Sequence, residues 1–327
     1  MKPDVMSIWY RESLHTVSIL LLPFSWLFGI CAAARRWFYR VGLLKTCHFN
    51  VPVIVVGNLT VGGTGKTPFV MWLANFLQSQ GYHPGIVSRG IGGKKHMIAH
   101  HVKCDDAMSK VGDEALLLAE NTHCPVVICV DRAAAVRELL KHSDCDIVIS
   151  DDGLQHYRMG RDVEIVMVDG ERRFGNRRLL PAGPLRESES RLSTADFVVI
   201  QGGSEDDKYT MQLQPHEFIS VKKNLTHKIP FQEFPREKIH AVAGIGYPQR
   251  FFKCLKQAGF DLVSHVFPDH HLYQAHDLDF AEALPILMTE KDAVKCAGFA
   301  DERYWYLSVN ARMNRLFEQD LLLKLKE

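Results

Sequence analysis

The chain has 327 residues, which is enough for two domains of ordinary size. Apolar residues make up 46% and charged residues 24% of the chain, as in globular proteins, and this excludes global disorder. The formal net charge of +1 gives no indication of nucleic acid as a partner, and eight scattered cysteines without a CxxC pair indicate reduced cytosolic thiols rather than disulfides or a zinc site.

The first apolar segment, LHTVSILLLPFSWLFGICAAA at residues 14–34, carries no formal charge. About 20 apolar residues are enough to span a bilayer, whereas Pro23 and the aromatic and arginine residues at 35–40 suit a lipid–water interface. We predict that residues 1–40 anchor the protein to a membrane, with spanning and interfacial insertion both open. A buried core helix is one alternative. A cleaved signal peptide is another, which is disfavoured because the chain further on predicts a site for cytosolic ATP.

From residue 51 the chain alternates strand-like and helix-like segments. The predicted strands are VPVIVVGN, HPGIVSRG, PVVICV, CDIVISDDG, VEIVMVDG and DFVVIQG. The predicted helices are KTPFVMWLANFLQSQG, GDEALLLAENT and RAAAVRELLKH. Because these strands are apolar without alternation, both faces of their sheet are covered. This predicts a mainly parallel α/β sheet with helices on both faces.

A polar stretch at 203–238 is predicted to depart from this core. A second alternating set follows, with KIHAVAGIG, FDLVSHVF, LPILMTEKD and RYWYLSVN, and predicts a smaller α/β lobe. The prediction therefore has three parts. They are the apolar segment at 1–40, a P-loop NTPase-like core at 41–235 and a C-terminal lobe at 236–327 that closes over the site.

The stretch GNLTVGGTGKTP, residues 57–68, ends like a phosphate-binding loop but has Thr60 where the general motif has glycine. An apolar strand precedes it and a helix follows it, as a phosphate loop requires. Its glycines let backbone N–H groups converge on phosphate oxygens, Lys66 can reach the β- and γ-phosphates, and the Thr67 hydroxyl can bind Mg²⁺. A purely structural glycine turn is the alternative. The predicted nucleotide-binding residues are Thr60, Val61, Gly62, Gly63, Thr64, Gly65, Lys66 and Thr67.

Asp151 and Asp152 end another apolar segment, as the acidic end of a Walker B strand does. Together with Thr67 they are the predicted Mg²⁺ ligands, with the directly bound carboxylate left open. Guanine recognition uses an Asn-Lys-x-Asp strand end, and TEKD at 289–292 has its lysine in the wrong place. ATP is therefore favoured over GTP.

Five motifs in order, VGNLTVGGTGKTP, DDGLQH, LLPAGPLRE, FPDHHLY and MTEKDAVK, resemble those of the tetraacyldisaccharide 4'-kinase family. They extend over residues 56–295, and Thr60 is that family's own departure from the general loop. The resemblance implies transfer of the ATP γ-phosphoryl group to the 4'-hydroxyl of an acylated glucosamine disaccharide lipid in lipid A biosynthesis. It also implies a two-lobed protein on the cytoplasmic face of a bacterial inner membrane, with the N-terminal segment inserted. We predict that the protein is a monomer.

Asp113 and Glu114 start a predicted helix, where acidic residues ordinarily stabilise the first turn. The resemblance implies that Asp113 is the general base and that His270 is its partner, with His271 as the alternative. An imidazole can orient such a carboxylate and help it to accept a proton.

Several further residues are candidates for the site. Arg186 is a candidate for neutralising charge on the transferred phosphoryl group or on the lipid phosphate, with a surface arginine as the alternative. The segment RRFGNRRLL at 172–180 reads either as a solvated basic face or as a contact for anionic lipid. The motif at 289–292 is assigned to substrate contact or lobe docking. The remaining supporting candidates are Arg89, Glu114, Gln155, His156 and Glu187.

Two other classes compete with the kinase hypothesis. A membrane-bound ATPase switch would share the phosphate loop and the apolar segment but would need no Asp113–His270 pair. An ATP-binding transporter subunit is disfavoured because the chain has no LSGGQ-type signature.

Overall fold

The computed structural model describes residues 5–11, 14–204, 206–222 and 227–327. The strands are β1 Val53–Gly57, β2 Pro84–Ser88, β3 His100–His101, β4 Val126–Ile128, β5 Ile147–Ser150, β6 Val163–Asp169, β7 Phe197–Gln201, β8 Thr210–Ser220, β9 Lys228–Pro230, β10 Lys238–Ala243, β11 Asp261–Val266, β12 Ile286–Thr289 and β13 Tyr304–Met313. The helices are α1 Val5–Trp9, α2 Thr16–Leu20, α3 Leu22–Arg40, α4 Lys66–Ser79, α5 Met108–Val111, α6 Asp113–Thr122, α7 Arg132–His142, α8 Pro248–Gln257, α9 Glu290–Cys296 and α10 Arg315–Lys324.

The strands form one sheet in the order β11-β10-β12-β13-β8-β7-β6-β1-β5-β2-β4-β3, with β9 beside β8. Among the described strands, only the pairs β13–β8, β8–β9 and β3–β4 are antiparallel. Helices α4, α6 and α10 pack on one face of the nucleotide-binding half, and α7 packs on the other. Helices α8 and α9 cover opposite faces of the strands from β10 to β13. The predicted mainly parallel sheet with helices on both faces is confirmed.

The polar stretch at 203–238 differs from the prediction, because β8 lies within it and is an internal strand of the sheet. Its sequence TMQLQPHEFIS alternates polar and apolar residues, and side chains along it alternate between buried and partly exposed. The other strands of this half were predicted from long apolar runs. Strand β8 was not predicted, because its polar and apolar residues alternate and only part of it is buried. Residues 205 and 223–226 of the stretch lie outside the described residues.

Several hydrophobic clusters lie along this sheet, and their boundaries do not follow one point in the sequence. Phe218 of β8 packs with the C-terminal core, while Phe317 and Leu321 of α10 pack with Phe69 in the core of the nucleotide-binding half. The division between residues 235 and 236 therefore stays a prediction about domains, and the antiparallel β8–β13 pair joins the two halves of the sheet.

The N-terminal helices lie against the nucleotide-binding half and form hydrogen bonds with residues 176–181. Ser25 of α3 donates a hydrogen bond to the Leu179 carbonyl at 2.8 Å, and Trp9 donates to the Pro181 carbonyl at 3.2 Å. Large apolar side chains on the rest of this segment are exposed, including Leu20, Trp26 and Ile30. Within the described ranges, no helix has both the length and the apolarity needed to cross a membrane. Residues 1–4, 12 and 13 of the predicted anchor lie outside those ranges.

Candidate active site

The phosphate loop connects the end of β1 to the start of α4. All five residues of β1 are buried, and Gly65 caps α4 with φ of 79°. Gly62 also has a positive φ, of 105°. Glycine adopts this backbone conformation without the steric cost of a side chain, so the loop can turn tightly and present N–H groups at the positive end of α4.

Thr60 does not need to be glycine, because its backbone is extended and forms a β-bridge with Leu185. Val61 N–H donates to the Pro184 carbonyl at 2.8 Å, and Arg186 N–H donates to the Leu59 carbonyl. The LLPAGPLRE motif thus supports the outer end of the phosphate loop. This arrangement explains the departure from the general loop pattern at position 60.

Thr60→Gly, which restores the general loop pattern, is expected to lower the free energy of unfolding by about 1 kcal/mol without strengthening ATP binding. Glycine would add backbone freedom to the unfolded chain at a position that needs no positive φ, and a buried side chain would be lost. Urea unfolding and ATP titration of both proteins measure the two quantities. Tighter ATP binding by the glycine variant would contradict this account of Thr60.

Lys66 lies at the centre of a small polar network. Its Nζ donates to Asn58 Oδ1 at 3.1 Å and lies 3.5 Å from Asp152 Oδ1. Asn58 is fully buried, and its amide donates to the Thr60 carbonyl at 2.7 Å. The sequence reasoning missed Asn58, although its place directly after the strand was a signal. It positions both the loop and the lysine.

Asp152 follows β5 in a left-handed conformation with φ of 47°. Arg186 Nη1 lies 3.2 Å from both of its carboxylate oxygens. Burial favours the neutral acid, but the charges of Lys66 and Arg186 outweigh it, so the pKa of Asp152 lies below its ordinary value. Asp152 is therefore a carboxylate held between two cations.

Asp151 is almost fully buried, and the Ser88 hydroxyl donates to its Oδ2 at 3.4 Å. Its Oδ1 is buried without a hydrogen-bond partner. Burial, with the negative charges of Glu114 and Asp152, raises the pKa of Asp151. An unpartnered carboxylate oxygen beside a second carboxylate fits a hard cation that prefers oxygen ligands, such as Mg²⁺.

Arg132 is a further residue that the sequence reasoning missed. Its side chain is 1% exposed and donates to the Cys129 carbonyl at 2.7 Å, while Nε and Nη2 are buried without partners. Burial lowers the pKa of Arg132 to about 10, and the charges of Asp151 and Asp152 counteract this, so the guanidinium lies close enough to both carboxylates to interact with their charges. It is the first residue of α7, and nothing in RAAAVRELLKH distinguishes it from a surface arginine.

A cavity of about 540 Å³ opens beside Asp152. Gln155 lines this cavity and connects two neighbouring residues. The Gln155 Nε2 donates to the Asn58 carbonyl at 3.4 Å, and the Gln155 Oε1 accepts from Arg186 at 3.5 Å. The buried Glu187 accepts a hydrogen bond from the Tyr157 hydroxyl. Burial, helped by nearby arginines, lowers the pKa of His156 to about 4, so its imidazole is neutral. The other lining residues are Arg89, Ile91 and Leu180, with Phe28, Cys31, Ala32 and Arg35 from α3.

Asp113 and His270, which lie 157 residues apart, meet between the two halves of the molecule. His270 Nδ1 lies 3.1 Å from Asp113 Oδ2 and 3.2 Å from Oδ1. Burial opposes ionisation of Asp113, but the hydrogen bond from His270 and the charge of Lys291 lower its pKa to about 2. The hydrogen bond to Asp113 raises the pKa of His270. The alternative partner, His271, instead pairs with Asp277 at 3.2 Å.

The TEKD motif organises the surroundings of this pair. Lys291 donates to Glu114 at 2.9 Å and thereby connects α9 to α6. Lys295 lies 3.4 Å from Asp113 and 3.3 Å from the fully buried Asp292. These contacts join the two halves of the molecule next to the Asp113–His270 pair, and Glu114 lies near enough to Asp151 to affect its pKa.

Comparison with known proteins gives a consistent result. A family model described as LpxK, tetraacyldisaccharide-1-P 4'-kinase, matches residues 17–326. A protein of Nitrosococcus oceani named tetraacyldisaccharide 4'-kinase is 47% identical over 323 residues, which cover 99% of this chain and 94% of that protein. A protein of the same name from Coxiella burnetii is 49% identical over 312 residues, covering 95% and 92%. The crystal structure of LpxK from Aquifex aeolicus in complex with ATP matches with a TM-score of 0.77 and 29% identity, covering 95% of this chain and 100% of that one.

Proposed function

The chain belongs to the tetraacyldisaccharide-1-P 4'-kinase family, and on that premise we propose that it is an ATP-dependent lipid kinase. The reaction is transfer of the γ-phosphoryl group of ATP to the 4'-hydroxyl of tetraacyldisaccharide 1-phosphate in lipid A biosynthesis. The Asp113–His270 contact at 3.1 Å is the observation in this chain that favours the kinase over an ATPase switch. A hydroxyl acceptor must lose a proton, and this pair is placed to receive it.

ATP and Mg²⁺ are the cofactors of this reaction. Bound Mg²⁺ would supply positive charge that offsets the negative charge of the phosphates during transfer. The Thr67 hydroxyl, Asp151 and Asp152 are the oxygen donors that would hold it. Lys66 binds the β- and γ-phosphates, and Arg186, which pairs with Asp152, supplies positive charge to the transferred phosphoryl group or to the lipid phosphate.

The Asp113–His270 pair works as one proton acceptor. Asp113 alone is a weak base, because its pKa is about 2. When His270 is neutral with its proton on Nε2, the acceptor hydroxyl gives its proton to Asp113, which passes it to Nδ1. As the hydroxyl oxygen bonds to the γ-phosphorus, the bond from that phosphorus to the oxygen that leaves with ADP breaks. The pair spans the predicted parts at 41–235 and 236–327, so closure of the two completes the site.

The cavity beside Asp152 is the proposed site for the disaccharide headgroup. Arg89 and Arg35 place positive charge at its edge, and Phe28 of α3 gives it an apolar wall. Such a combination suits a phosphorylated sugar with acyl chains. Gln155, His156 and Glu187 line the same cavity and are the proposed supporting residues.

We place the protein on the cytoplasmic face of a bacterial inner membrane, as a monomer with its N-terminal segment inserted. Leu20, Trp26 and Ile30 are 71%, 64% and 67% exposed, and Arg35 and Arg36 follow them along α3. Apolar side chains beside arginines suit burial at the acyl–headgroup boundary. The exposed face of α3 adjoins the cavity, so an inserted lipid would reach the site directly.

The double variant Leu20→Ser/Ile30→Ser is expected to reduce binding to vesicles containing anionic lipid by about tenfold or more, because about 1.5–3 kcal/mol of burial is lost per apolar side chain. Ile98→Ser/Leu323→Ser is the matched control, since both side chains are exposed outside the segment. Vesicle co-sedimentation measures the difference. Equal loss for both double variants would contradict insertion of the N-terminal segment.

The pH dependence of kcat/KM for the lipid acceptor is expected to rise with pH through the raised pKa of His270, because only neutral imidazole accepts a proton. The ion pair between protonated His270 and Asp113 stabilises the fold fully at pH values below the ordinary histidine pKa of about 6.5. This contribution to stability is lost as the pH rises through the raised pKa of His270. Activity and this contribution to stability therefore change in opposite directions. His270→Gln should flatten the profile, and an unchanged profile would exclude His270 from the proton acceptor.

The reaction is tested by incubating the protein with γ-labelled ATP, Mg²⁺ and the tetraacyl disaccharide 1-phosphate in detergent. Label in the lipid, with little ATP consumed when the lipid is omitted, is the expected result. If the label appears only as free phosphate, at a rate independent of the lipid, the lipid kinase is excluded and the ATPase switch is supported.

A further inference from the structure

Arg172 differs from the other arginines of the basic segment at 172–180. Its side chain is only 7% exposed, whereas those of Arg173 and Arg177 are 46% and 74% exposed. A solvated basic face or a contact for anionic lipid, the two sequence interpretations, would both require exposure. The burial of Arg172 points to an internal role.

The guanidinium of Arg172 contacts three parts of the fold. Nε donates to Asp169 Oδ2, at the end of β6, at 2.9 Å. Nη2 donates to the carbonyl of Gly63 in the phosphate loop. Nη1 donates to the carbonyl of Gly246, in the loop after β10, at 3.4 Å. The planar fork of arginine can make such a set of bonds, which a lysine cannot.

Aromatic rings enclose this guanidinium. Its carbon lies 4.3 Å from the ring centre of Tyr247 and 4.9 Å from that of Tyr10. Asp169 also pairs with Arg250 of α8 at 2.9 Å. The N-terminal segment, the nucleotide-binding half and the C-terminal half therefore all contact one arginine or its carboxylate partner.

The contact with Gly63 affects the geometry of the phosphate loop. In a trans peptide the C=O and N–H groups point in opposite directions. A bond that fixes the Gly63 carbonyl therefore fixes the direction of the Thr64 N–H, which is one of the N–H groups of the loop. Thr64 Oγ1 is buried without a partner, so Thr64 makes no side-chain hydrogen bond that would orient it.

The C-terminal half also packs directly against the phosphate loop, through Gly246. A Cβ atom placed on Gly246 would lie 2.4 Å from Gly63 N and 3.2 Å from Gly62 C. Backbone thus packs directly on backbone, and only glycine fits at position 246. A shift of the loop after β10 would move either the Gly63 peptide or the bond to Arg172.

We propose that Arg172 is a positioning residue that couples the C-terminal half to the phosphate loop and sets the loop's affinity for nucleotide. The inference rests on the proposed function only for the identity of the nucleotide. It concerns ATP binding, which is measurable without a lipid acceptor. A protein that binds ATP but transfers no phosphoryl group would therefore refute the kinase and leave this inference open to its own test.

The test compares Arg172→Ala with Arg173→Ala in the full-length protein. We expect Arg172→Ala to raise the Kd for ATP·Mg²⁺ about tenfold or more, since hydrogen bonds to a charged group are lost. Arg173→Ala, which removes an exposed arginine, should leave this Kd unchanged. Isothermal titration without lipid gives the Kd, and thermal unfolding shows whether each variant is folded.

Two further variants separate positioning from simple stabilisation. Gly246→Ala keeps Arg172 but displaces the loop, so it should also raise the Kd for ATP. Arg172→Lys keeps the charge but not the fork, so it should restore stability more than ATP binding. A lowered melting temperature with an unchanged Kd in Arg172→Ala and Gly246→Ala would overturn the proposal. A change in the KM for lipid alone would overturn it in favour of a lipid contact.

Discussion

Asp113→Asn is expected to lower kcat by about 10²–10⁴-fold, the range that general acid–base catalysis contributes. Asparagine has nearly the same shape and can still hydrogen-bond His270, but it cannot accept the hydroxyl proton. The phosphate loop is unchanged, so the Kd for ATP should stay the same. Single-turnover transfer of labelled phosphate to the lipid measures the rate, and titration of ATP measures the Kd.

Asp105→Asn provides the matched control, because this carboxylate is exposed and lies outside the site. Asp113 is also the buried partner of Lys295, so circular dichroism must show that the variant is folded. A folded variant with kcat within a few-fold of the unaltered protein would exclude Asp113 as the base. Equal loss of ATP binding and rate would instead indicate a structural role for Asp113.

Lys66→Ala is expected to lower kcat/KM for ATP by about 10²–10³-fold, as loss of one preorganised charged donor does elsewhere. Lys66 is held by Asn58 and Asp152, so its charge is already placed before phosphate arrives. Without it, Asp152 would repel the phosphates more strongly. Initial rates over a series of ATP concentrations measure the effect.

Lys256→Ala is the control for the loss of one exposed lysine, since it lies on α8 away from the phosphate loop. If Lys66→Ala kept both its rate and its affinity for ATP, GNLTVGGTGKTP would be a structural glycine turn. The nucleotide would then have to bind elsewhere.

The sequence predicted those parts of the site that depend on neighbours along the chain. Gly65, Lys66 and Thr67 follow a strand and begin a helix, and Asp151 and Asp152 end another strand. These relations are local, so strand and helix patterns reveal them. The site residues themselves remain proposals until variants are measured.

Contacts between segments that are distant in the sequence were not predicted from sequence patterns. Arg132 and Arg172 resemble surface arginines in sequence, and only the folded chain shows them buried. The Asp113–His270 pairing came from the family resemblance, since no spacing rule relates residues 157 positions apart. Strand β8 was missed for a local reason, because its alternating sequence did not match the long apolar runs that predicted the other strands, and its pairing with β13 joins distant segments.

Helix α10 follows every strand of the sheet in the sequence, yet it returns to the core of the nucleotide-binding half. Its Phe317 ring lies 5.8 Å from Phe69 and 5.3 Å from Phe197. During translation, α10 therefore leaves the ribosome after strands β10 to β13, so this core cannot be complete until α10 has been synthesised. Domains generally fold as units in the order of their synthesis. Here the first half to be synthesised is completed last, so an incomplete nascent chain has no finished ATP-binding half.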